Sequence, residues 1–494
     1  MRKTIRFIRK GRLVELADVP PAMLLLDYLR ETEGATGTKE GCGEGDCGAC
    51  TVALGRLRNG KVVYEPVNAC ILLLGQVDGS EVVTVEDLAD EDGTLHPVQS
   101  AMVAAHASQC GFCTPGFVMA LFALYHSGTD AVDRREVNDW IAGNLCRCTG
   151  YRPIVDAGVA VCAGPRDDRF TAGAQDMAGV LGFLADNDDI LIGDDQRFFA
   201  APASIDSLAD LYEKHPDATV VAGATDVGLW ITKQLRDLKQ IIHVGRTHAF
   251  DRVEDTGHEV IVGAGATYAK VEPYFRAIDP DLGELLRRLG AKQVRASGTV
   301  GGNVANGSPI GDTPPALIAL AATVELRKGR RVRSMPIEQF FVDYGKQARA
   351  PGELVTSITI PRLGPEHVFR CFKVSKRFDQ DISAVMGAFR FTVEEDGSVR
   401  EARLAFGGMA ATPRRATAAE KALVGRPLRD SGAWAQSFAA LREDFTPIDD
   451  HRASARYRME TAHALLGKAL IEAAGTASNR TRVVGQREAA HGAV

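Results

Sequence analysis

Ten cysteines occur in this chain of 494 residues, and eight of them fall into two groups whose spacing can hold metal. Cys42, Cys47 and Cys50 stand in Glu40-Gly41-Cys42-Gly43-Glu44-Gly45-Asp46-Cys47-Gly48-Ala49-Cys50, and Cys70 follows twenty residues later. This Cys-x4-Cys-x2-Cys…Cys spacing is that of a [2Fe–2S] ligand set. Four thiolates have to converge on a compact anionic core, so the loop must wrap tightly, and the interspersed glycines let backbone N–H groups approach the sulfurs. Zinc sites repeat short Cys-x2–4-Cys pairs and match this spacing less well. The second group comprises Cys110 and Cys113, in Gln109-Cys110-Gly111-Phe112-Cys113-Thr114-Pro115-Gly116, and Cys146 and Cys148, in Gly143-Asn144-Leu145-Cys146-Arg147-Cys148-Thr149-Gly150-Tyr151-Arg152-Pro153. By spacing alone this set is open to zinc as well as to a second iron–sulfur cluster. Beside a first carrier, a second [2Fe–2S] centre is the better match, because two carriers in one chain make a short electron path.

The elements that must position these groups follow from local pattern. Residues 1–85 contain β-rich runs at 5–8, 61–64 and 81–85 and one helical segment at 22–30, a small mixed sheet around a cluster loop. Residues 86–162 turn helical, with Val98, Met102 and Ala105, then Phe117, Leu121 and Leu124, at helical spacing. Thr114 followed by Pro115 reads as an N-cap with proline at the first helical position, which sets Cys110 and Cys113 at a helix start where the macrodipole favours bound negative charge. Cys146 and Cys148 fall in a turn past another helix. Cys162 and Cys371 have no ligand partners in sequence and read as buried small hydrophobes. Residues 163–197 lose periodicity and read as a linker.

Two glycine-rich loops follow in a domain expected over 198–365. The strand 218–221 runs into Ala222-Gly223-Ala224-Thr225-Asp226 and a helix opening at Val227, an arrangement that presents free N–H groups to a pyrophosphate. The second loop is Ala296-Ser297-Gly298-Thr299-Val300-Gly301-Gly302-Asn303-Val304-Ala305-Asn306-Gly307-Ser308-Pro309-Ile310-Gly311-Asp312. Two separated loops of this kind suit an extended dinucleotide such as FAD. Neither is a G-x-G-x-x-G fingerprint, and Gly263-Ala264-Gly265 reads as a strand-end turn. Residues 366–475 alternate strands at 387–393 and 399–406 with Ala- and Leu-rich helices, and a polar tail over 476–494 is expected to be disordered.

Composition excludes several classes. Forty-five per cent hydrophobic and 25% charged residues describe a globular chain of three or four domains. A net charge of −6 gives no electrostatic reason for nucleic-acid binding. The basic run Arg327-Lys328-Gly329-Arg330-Arg331-Val332-Arg333 reads as a hairpin turn with a solvated strand edge. Residues 1–10 carry charge without an apolar core and no apolar run reaches 18 residues, so neither a signal peptide nor a membrane span is expected, and clustered thiols fit a cytoplasmic compartment.

The first domain resembles plant-type ferredoxins. The whole set, from Lys39-Glu40-Gly41-Cys42 through the Gln109 to Gly116 segment to Asn144-Leu145-Cys146-Arg147-Cys148-Thr149-Gly150-Tyr151, resembles the iron–sulfur portion of the molybdenum hydroxylases, a family that includes xanthine dehydrogenases and aldehyde oxidases. That resemblance implies an α+β multidomain chain: a ferredoxin-like β-grasp domain, a helical [2Fe–2S] domain and an FAD-binding α+β domain of the vanillyl-alcohol-oxidase or CO-dehydrogenase flavoprotein type. A C-terminal α/β flavoprotein domain completes it. Two [2Fe–2S] clusters would be held by the eight cysteines, and Gln109 and the second cluster would face a molybdopterin on another domain. Carried over residue by residue, Thr219, Val220, Val221, Ala222, Gly223, Ala224, Thr225, Asp226 and Val227 would line the adenosine and pyrophosphate of FAD. Thr299, Gly302, Asn303, Asn306, Ser308 and Asp312 would bind the remainder, with Leu354, Val355 and Lys373 nearby. Leu289 stands where family members often stack a phenylalanine on the flavin. The loop 376–381 would lie beside the flavin, with Tyr344, Asp226 and Asp379 on the side where NAD docks.

The resemblance is greatest to the electron-transfer small subunit of bacterial xanthine dehydrogenases. It implies a molybdopterin-binding large subunit as partner, in a heterotetramer of two small and two large subunits, and NAD as electron acceptor. Other readings are the corresponding subunit of an aldehyde- or N-heterocycle-oxidising relative, a stand-alone NADH-dependent iron–sulfur flavoprotein reductase, and a zinc scaffold without enzymatic activity.

Overall fold

Alternating apolar residues at Ile5 and Phe7 bury one face of a first strand, and the chain builds a small sheet on it. In the computed structural model, which describes residues 1–476, the chain divides into two units: Met1–His248 with Gly290–Gly298, and Ala249–Leu289 with the chain from Thr299 onward. The expected tail falls, from residue 477, outside the described residues.

In the first unit β1 (Ile5–Arg9), β2 (Arg12–Leu16), β3 (Thr51–Arg58), β4 (Lys61–Asn68) and β5 (Glu81–Val83) form a mixed sheet in the order β2-β1-β5-β3-β4. Only the β1–β5 pairing is parallel. Charged residues interrupt the hydrophobic signal in β2 and at the end of β3, so the sequence alone does not mark these strands. The helix expected at 22–30 is shorter, an α-turn at Leu25–Asp27 that widens into a π-turn at Tyr28–Thr32. Its first N–H groups are taken by the loop around Cys70: Leu25 donates to the Leu72 carbonyl at 2.8 Å and Leu26 to that of Ala69 at 3.1 Å.

Four helices follow, Pro97–Ala104, Thr114–Tyr125, Arg134–Ile141 and Arg152–Ala163. The second is buried on every side from Gly116 to Tyr125, as a helix apolar all round must be. Its N-cap is Cys113, and Pro115 takes the second helical position, one residue later than the pattern predicts. The stretch expected as a linker is substantially helical, with Arg169–Ala172, Ala174–Leu184 and then β6 (Ile190–Gly193). Met177, Leu181 and Leu184 give it an apolar stripe that packs on Ile8, Leu57 and Val62.

β6 joins β7 (Phe198–Ala201), β8 (Thr219–Val221) and β9 (Gln240–His243) in a second sheet ordered β6-β7-β9-β8. One apolar core runs through both sheets of this unit, with Ile5 and Phe7 of the first, and Leu25 and Leu73 beside them, clustered with Phe199, Val221 and Ile241 of the second. A charge cluster seals the same joint. Arg2 grips Asp78 with bonds of 2.7 and 2.8 Å, while Arg246 reaches both Asp78 and Asp186 at 2.5 Å.

In the second unit β10 (Val253–Asp255), β11 (Glu259–Gly263), β12 (Thr323–Lys328), β13 (Arg331–Pro336) and, after the short hairpin β14 (Phe341–Asp343) and β15 (Lys346–Gln347), β16 (Leu354–Pro361) form the sheet β10-β11-β16-β12-β13. The basic run makes the β12–β13 hairpin, and β13 is an exposed edge as its charges predict. The last sheet is antiparallel: β17 (His367–Val374), β18 (Val385–Val393), β19 (Val399–Gly407) and β20 (Arg414–Arg415). Phe389, Phe391, Leu404 and Phe406 pack there against Leu441, Leu466 and Leu470 of the helices Ser431–Asp444 and Ala455–Ala473. Among the described residues no helix is long and apolar enough to cross a membrane.

Candidate cofactor sites

The first cysteine group converges. The Cys42 thiol lies beside those of Cys47 and Cys70, and the Cys70 thiol beside that of Cys50 as well. Three backbone N–H groups, of Glu44, Asp46 and Cys47, point at Cys42 Sγ from 3.4 Å each. Contacts from Cys47 and Cys70, reinforced by the N–H groups of Glu44 and Cys47, hold the Cys42 thiol far below its ordinary range. Contacts with Cys42 and Cys50, together with burial, push the Cys70 thiol up. A Cβ on Gly41 would stand 2.7 Å from Cys47 Sγ, so the backbone approaches the sulfur where no side chain fits. Converging sulfurs, inward N–H donors and a glycine-lined wall suit a thiolate-bound anionic cluster.

The second group is shallower. Cys113 and Cys146 are half-buried, whereas Cys110 and Cys148 are exposed, as are Gln109, Phe112 and Leu145 beside them. Burial and the contact with Cys146 push the Cys113 thiol up to about 12. Burial also pushes Cys146 upward, but the Thr149 hydroxyl at 3.2 Å and the backbone N–H groups of Thr149 and Cys148 outweigh it and lower the Cys146 thiol. The Cys146 N–H donates to the Tyr151 hydroxyl at 3.0 Å, which fixes the turn.

The two ligand loops are bonded to each other. The Leu145 N–H donates to the Cys47 carbonyl at 3.0 Å. Asn144 Nδ2 donates to the Gly48 carbonyl at 3.0 Å, and Gln293 Nε2 donates to Asn144 Oδ1 at 2.8 Å. Gly48 has φ +69°, and a Cβ there would lie 2.2 Å from the Gly143 carbonyl oxygen, so only glycine serves. Asn144 lies inside a motif legible in the sequence. Gln293, almost fully buried, has no pattern around it and is found only through its partners.

The first flavin-type loop forms as expected, between β8 and the helix Val227–Thr232. Ala224 holds a left-handed φ of +59°, a conformation that costs energy in a residue with a Cβ. Gly223 is pressed on the 297–298 backbone, where a Cβ would meet the Ser297 carbonyl oxygen at 1.9 Å. The second loop is divided, with residues 296–298 in the first unit and 299–312 in the second. Thr299 Oγ1 caps the helix Val300–Asn306 by accepting the Gly302 N–H at 3.0 Å, and Asn303 Oδ1 accepts the Thr313 hydroxyl at 2.7 Å. Asp312 is buried with Lys373 Nζ and Ser383 Oγ at 2.5 Å on its two oxygens, and Leu354 and Val355 are buried on β16. Ser383 is a partner that the sequence did not reveal.

The 376–381 loop, a simple solvated turn by composition, is held by two arginines. The Arg288 guanidinium lies 4.3 Å from the Phe378 ring centre and donates to the carbonyls of Phe378 and Lys373, while Arg287 lies 3.8 Å from Asp379. Leu289 follows directly, its N–H on the Leu286 carbonyl at 3.0 Å. Tyr344 is exposed between β14 and β15. Tyr344 and Asp379 thus belong to the second unit and Asp226 to the first.

A buried trio escaped the sequence reading altogether. His96 and His126 direct Nε2 at Asp168 Oδ2 from 3.7 and 3.5 Å. His96 Nδ1 accepts the Val98 N–H at 3.2 Å, so in the neutral ring Nε2 carries the proton. At 3.7 Å its Nε2 faces the Asp168 carboxylate without closing a hydrogen bond. Burial pushes Asp168 up, but His96, His126 and the Thr171 N–H more than offset it and hold the carboxyl at about 2, while burial pushes His126 down to about 4.

These sites describe an iron–sulfur flavoprotein, and the family comparisons agree segment by segment. Residues 7–73 match the 2Fe-2S iron-sulfur cluster binding domain and residues 84–158 the [2Fe-2S] binding domain. Residues 195–363 match the FAD binding domain in molybdopterin dehydrogenase, and residues 370–473 the CO dehydrogenase flavoprotein C-terminal domain. The chain carries the iron–sulfur and FAD electron-transfer domains of the molybdenum hydroxylase family. Xanthine dehydrogenase 1 of Arabidopsis thaliana is 31% identical over 498 residues, spanning 85% of this chain, and xanthine dehydrogenase of Emericella nidulans is 31% identical over 506 residues, spanning 90%. The chain covers 36% of the length of each. A solved chain of reconstituted CO dehydrogenase from Oligotropha carboxidovorans superposes with a TM-score of 0.53 at 27% identity, covering 56% of this chain and 97% of its own.

Proposed function

We infer that this chain is the electron-transfer subunit of a xanthine dehydrogenase, an oxidoreductase. In this reading electrons leave a molybdopterin centre on a large partner subunit, pass the two cysteine groups and reach FAD, which delivers them to NAD⁺ as hypoxanthine and xanthine are oxidised to urate. A heterotetramer of two small and two large subunits and a cytoplasmic setting belong to the same reading. The observation that carries it is the bond from Leu145 N–H to the Cys47 carbonyl, which joins the two ligand loops into one path. The xanthine dehydrogenase relatives support the substrate.

Cys42, Cys47, Cys50 and Cys70 are the proposed ligands of one cluster, and Cys110, Cys113, Cys146 and Cys148 those of the other. The exposed rim of Gln109, Phe112, Leu145 and Cys148 suits docking of the partner. For FAD we assign Thr219 to Val227, Thr299, Gly302, Asn303, Asn306, Ser308, Asp312, Leu354, Val355 and Lys373. FAD, when bound, exchanges single electrons with clusters and hydride with NAD. Asp312 and Lys373 neutralise each other, so this pair sets the local polarity without adding net charge. Tyr344, Asp226 and Asp379 are assigned to the nicotinamide side.

The test is anaerobic titration of the purified chain, alone and with a molybdopterin-bearing partner, followed at the flavin band. NADH should bleach the chain alone, and xanthine should bleach it only with the partner present. Bleaching of the isolated chain by xanthine would overturn this division of labour.

A further inference from the structure

The helix Val227–Thr232 joins two sites that the preceding reading treats separately. Its N-terminus carries the loop ending at Asp226, and the residue at its other end, Lys233, reaches into the first cysteine loop. Lys233 Nζ donates to the Cys42 carbonyl oxygen and stands 3.9 Å from a Glu44 carboxylate oxygen. A Cβ built on Gly43 would lie 3.8 Å from the same ammonium, so the charge rests against the backbone between Cys42 and Glu44. Both side chains are about half exposed, at 44% and 43%. The helix itself is fixed, because Gly228 packs on the Ile71 backbone, where a Cβ would meet the Ile71 carbonyl oxygen at 2.6 Å. Lys233 is therefore delivered to the cluster loop by a braced element.

We propose that Lys233 is a tuning residue for the cluster held by Cys42, Cys47, Cys50 and Cys70, favouring its reduced form, with Glu44 as the opposing counter-charge. Reduction adds one negative charge to a [2Fe–2S] centre, and the potential responds to net charge and hydrogen bonding around it. A fixed cation at the ligand loop stabilises the reduced state, and partial exposure keeps the effect moderate and dependent on salt. The proposal rests on the assignment of those four cysteines as ligands.

The experiment is a redox titration of the full-length protein with its cofactors, monitored by electron paramagnetic resonance so that the two clusters are followed separately. Lys233→Met keeps the stem and removes the charge. It should lower the reduced-to-oxidised ratio of the first cluster at fixed potential by about threefold to tenfold, and tenfold is about 59 mV for a one-electron couple. Lys233→Arg should restore the native value, Glu44→Gln should shift it the opposite way, and the second cluster should not move. A merely structural tie would not give shifts of opposite sign for two partners in one contact. Protein lacking two [2Fe–2S] signals overturns the ligand assignment and this proposal with it. Two native signals with an unmoved potential in Lys233→Met, or equal shifts in Met and Arg variants, overturn this proposal alone.

Discussion

Cys47 serves both cysteine groups, since its thiol joins the first set of sulfurs and its carbonyl receives the Leu145 N–H. Replacing Cys47 by serine should remove one [2Fe–2S] signal and about half of the bound iron while FAD remains, and Cys113→Ser should do the same for the other cluster. Iron analysis with paramagnetic resonance checks it, and loss of flavin in step with iron would contradict it. Asn144→Ala is the conservative probe of the joint. It deletes two buried hydrogen bonds while Thr51 still contacts both the Gly48 carbonyl and Gln293 Nε2, so denaturant melts should show a loss of about 1–3 kcal/mol. At this scale the sequence was informative wherever chemistry fixes spacing: all eight cysteines and Asn144 stand inside readable motifs. Gln293, Ser383, His96 and His126 were not legible, because each owes its role to partners distant in the chain.

Element-level pattern was readable where one face is apolar and misleading where charge or length intervened. The linker helix Ala174–Leu184 was missed because its stripe of Met177, Leu181 and Leu184 is short and flanked by glycine and aspartate. Its approach is anchored by Asp168, which caps the helix Arg169–Ala172 through the Phe170 and Thr171 N–H groups and faces His96 and His126 with its other oxygen. This predicts a pH dependence. His126, down at about 4 in the fold against about 6.5 in an open chain, takes up a proton more readily unfolded, with Asp168 opposing that shift and His96 and Arg166 adding to it. Its contribution is thus absent above pH 6.5, and stability falls as pH drops from about 6.5 to about 4, by about 3 kcal/mol for the full shift. His243, also down at about 4 through burial, adds in the same window, whereas Asp168, at about 2, costs stability only below about pH 3.8. Thermal midpoints should fall between pH 7 and 5, and His126→Phe should flatten that slope. An equal slope in the variant would refute the assignment. Gly48→Ala tests the cluster loops as elements: its Cβ would strike the backbone at Gly143, so both clusters should be disturbed although the substitution touches no cysteine.

For the whole molecule, the shared core of the first unit sets the expectation. A chain ending near residue 165 would leave Ile5, Leu25 and Leu73 without Phe199, Val221 and Ile241, so it should be digested quickly by protease and retain little iron, whereas the full chain resists. Slow digestion of the short chain with both clusters intact would refute this. Sequence reading divided this region into a ferredoxin-like domain, a helical domain, a linker and the start of a flavin domain, since each has its own local pattern. Packing across those boundaries leaves no local trace, which is why the shared core of the ferredoxin-like domain and the start of the flavin domain was not legible.

That core also bears on inheritance. Small ferredoxin-like modules can be traded between genes when they fold by themselves, but here Gly75 lies so close to Phe199 that a Cβ would sit 2.2 Å from its ring. A recombination that imported a foreign cluster module would have to bring matching partners for Phe199 and Ile241. Wherever such modules share one chain as here, substitutions at Ile5, Leu73, Phe199 and Ile241 are therefore expected to be correlated across what look like domain borders.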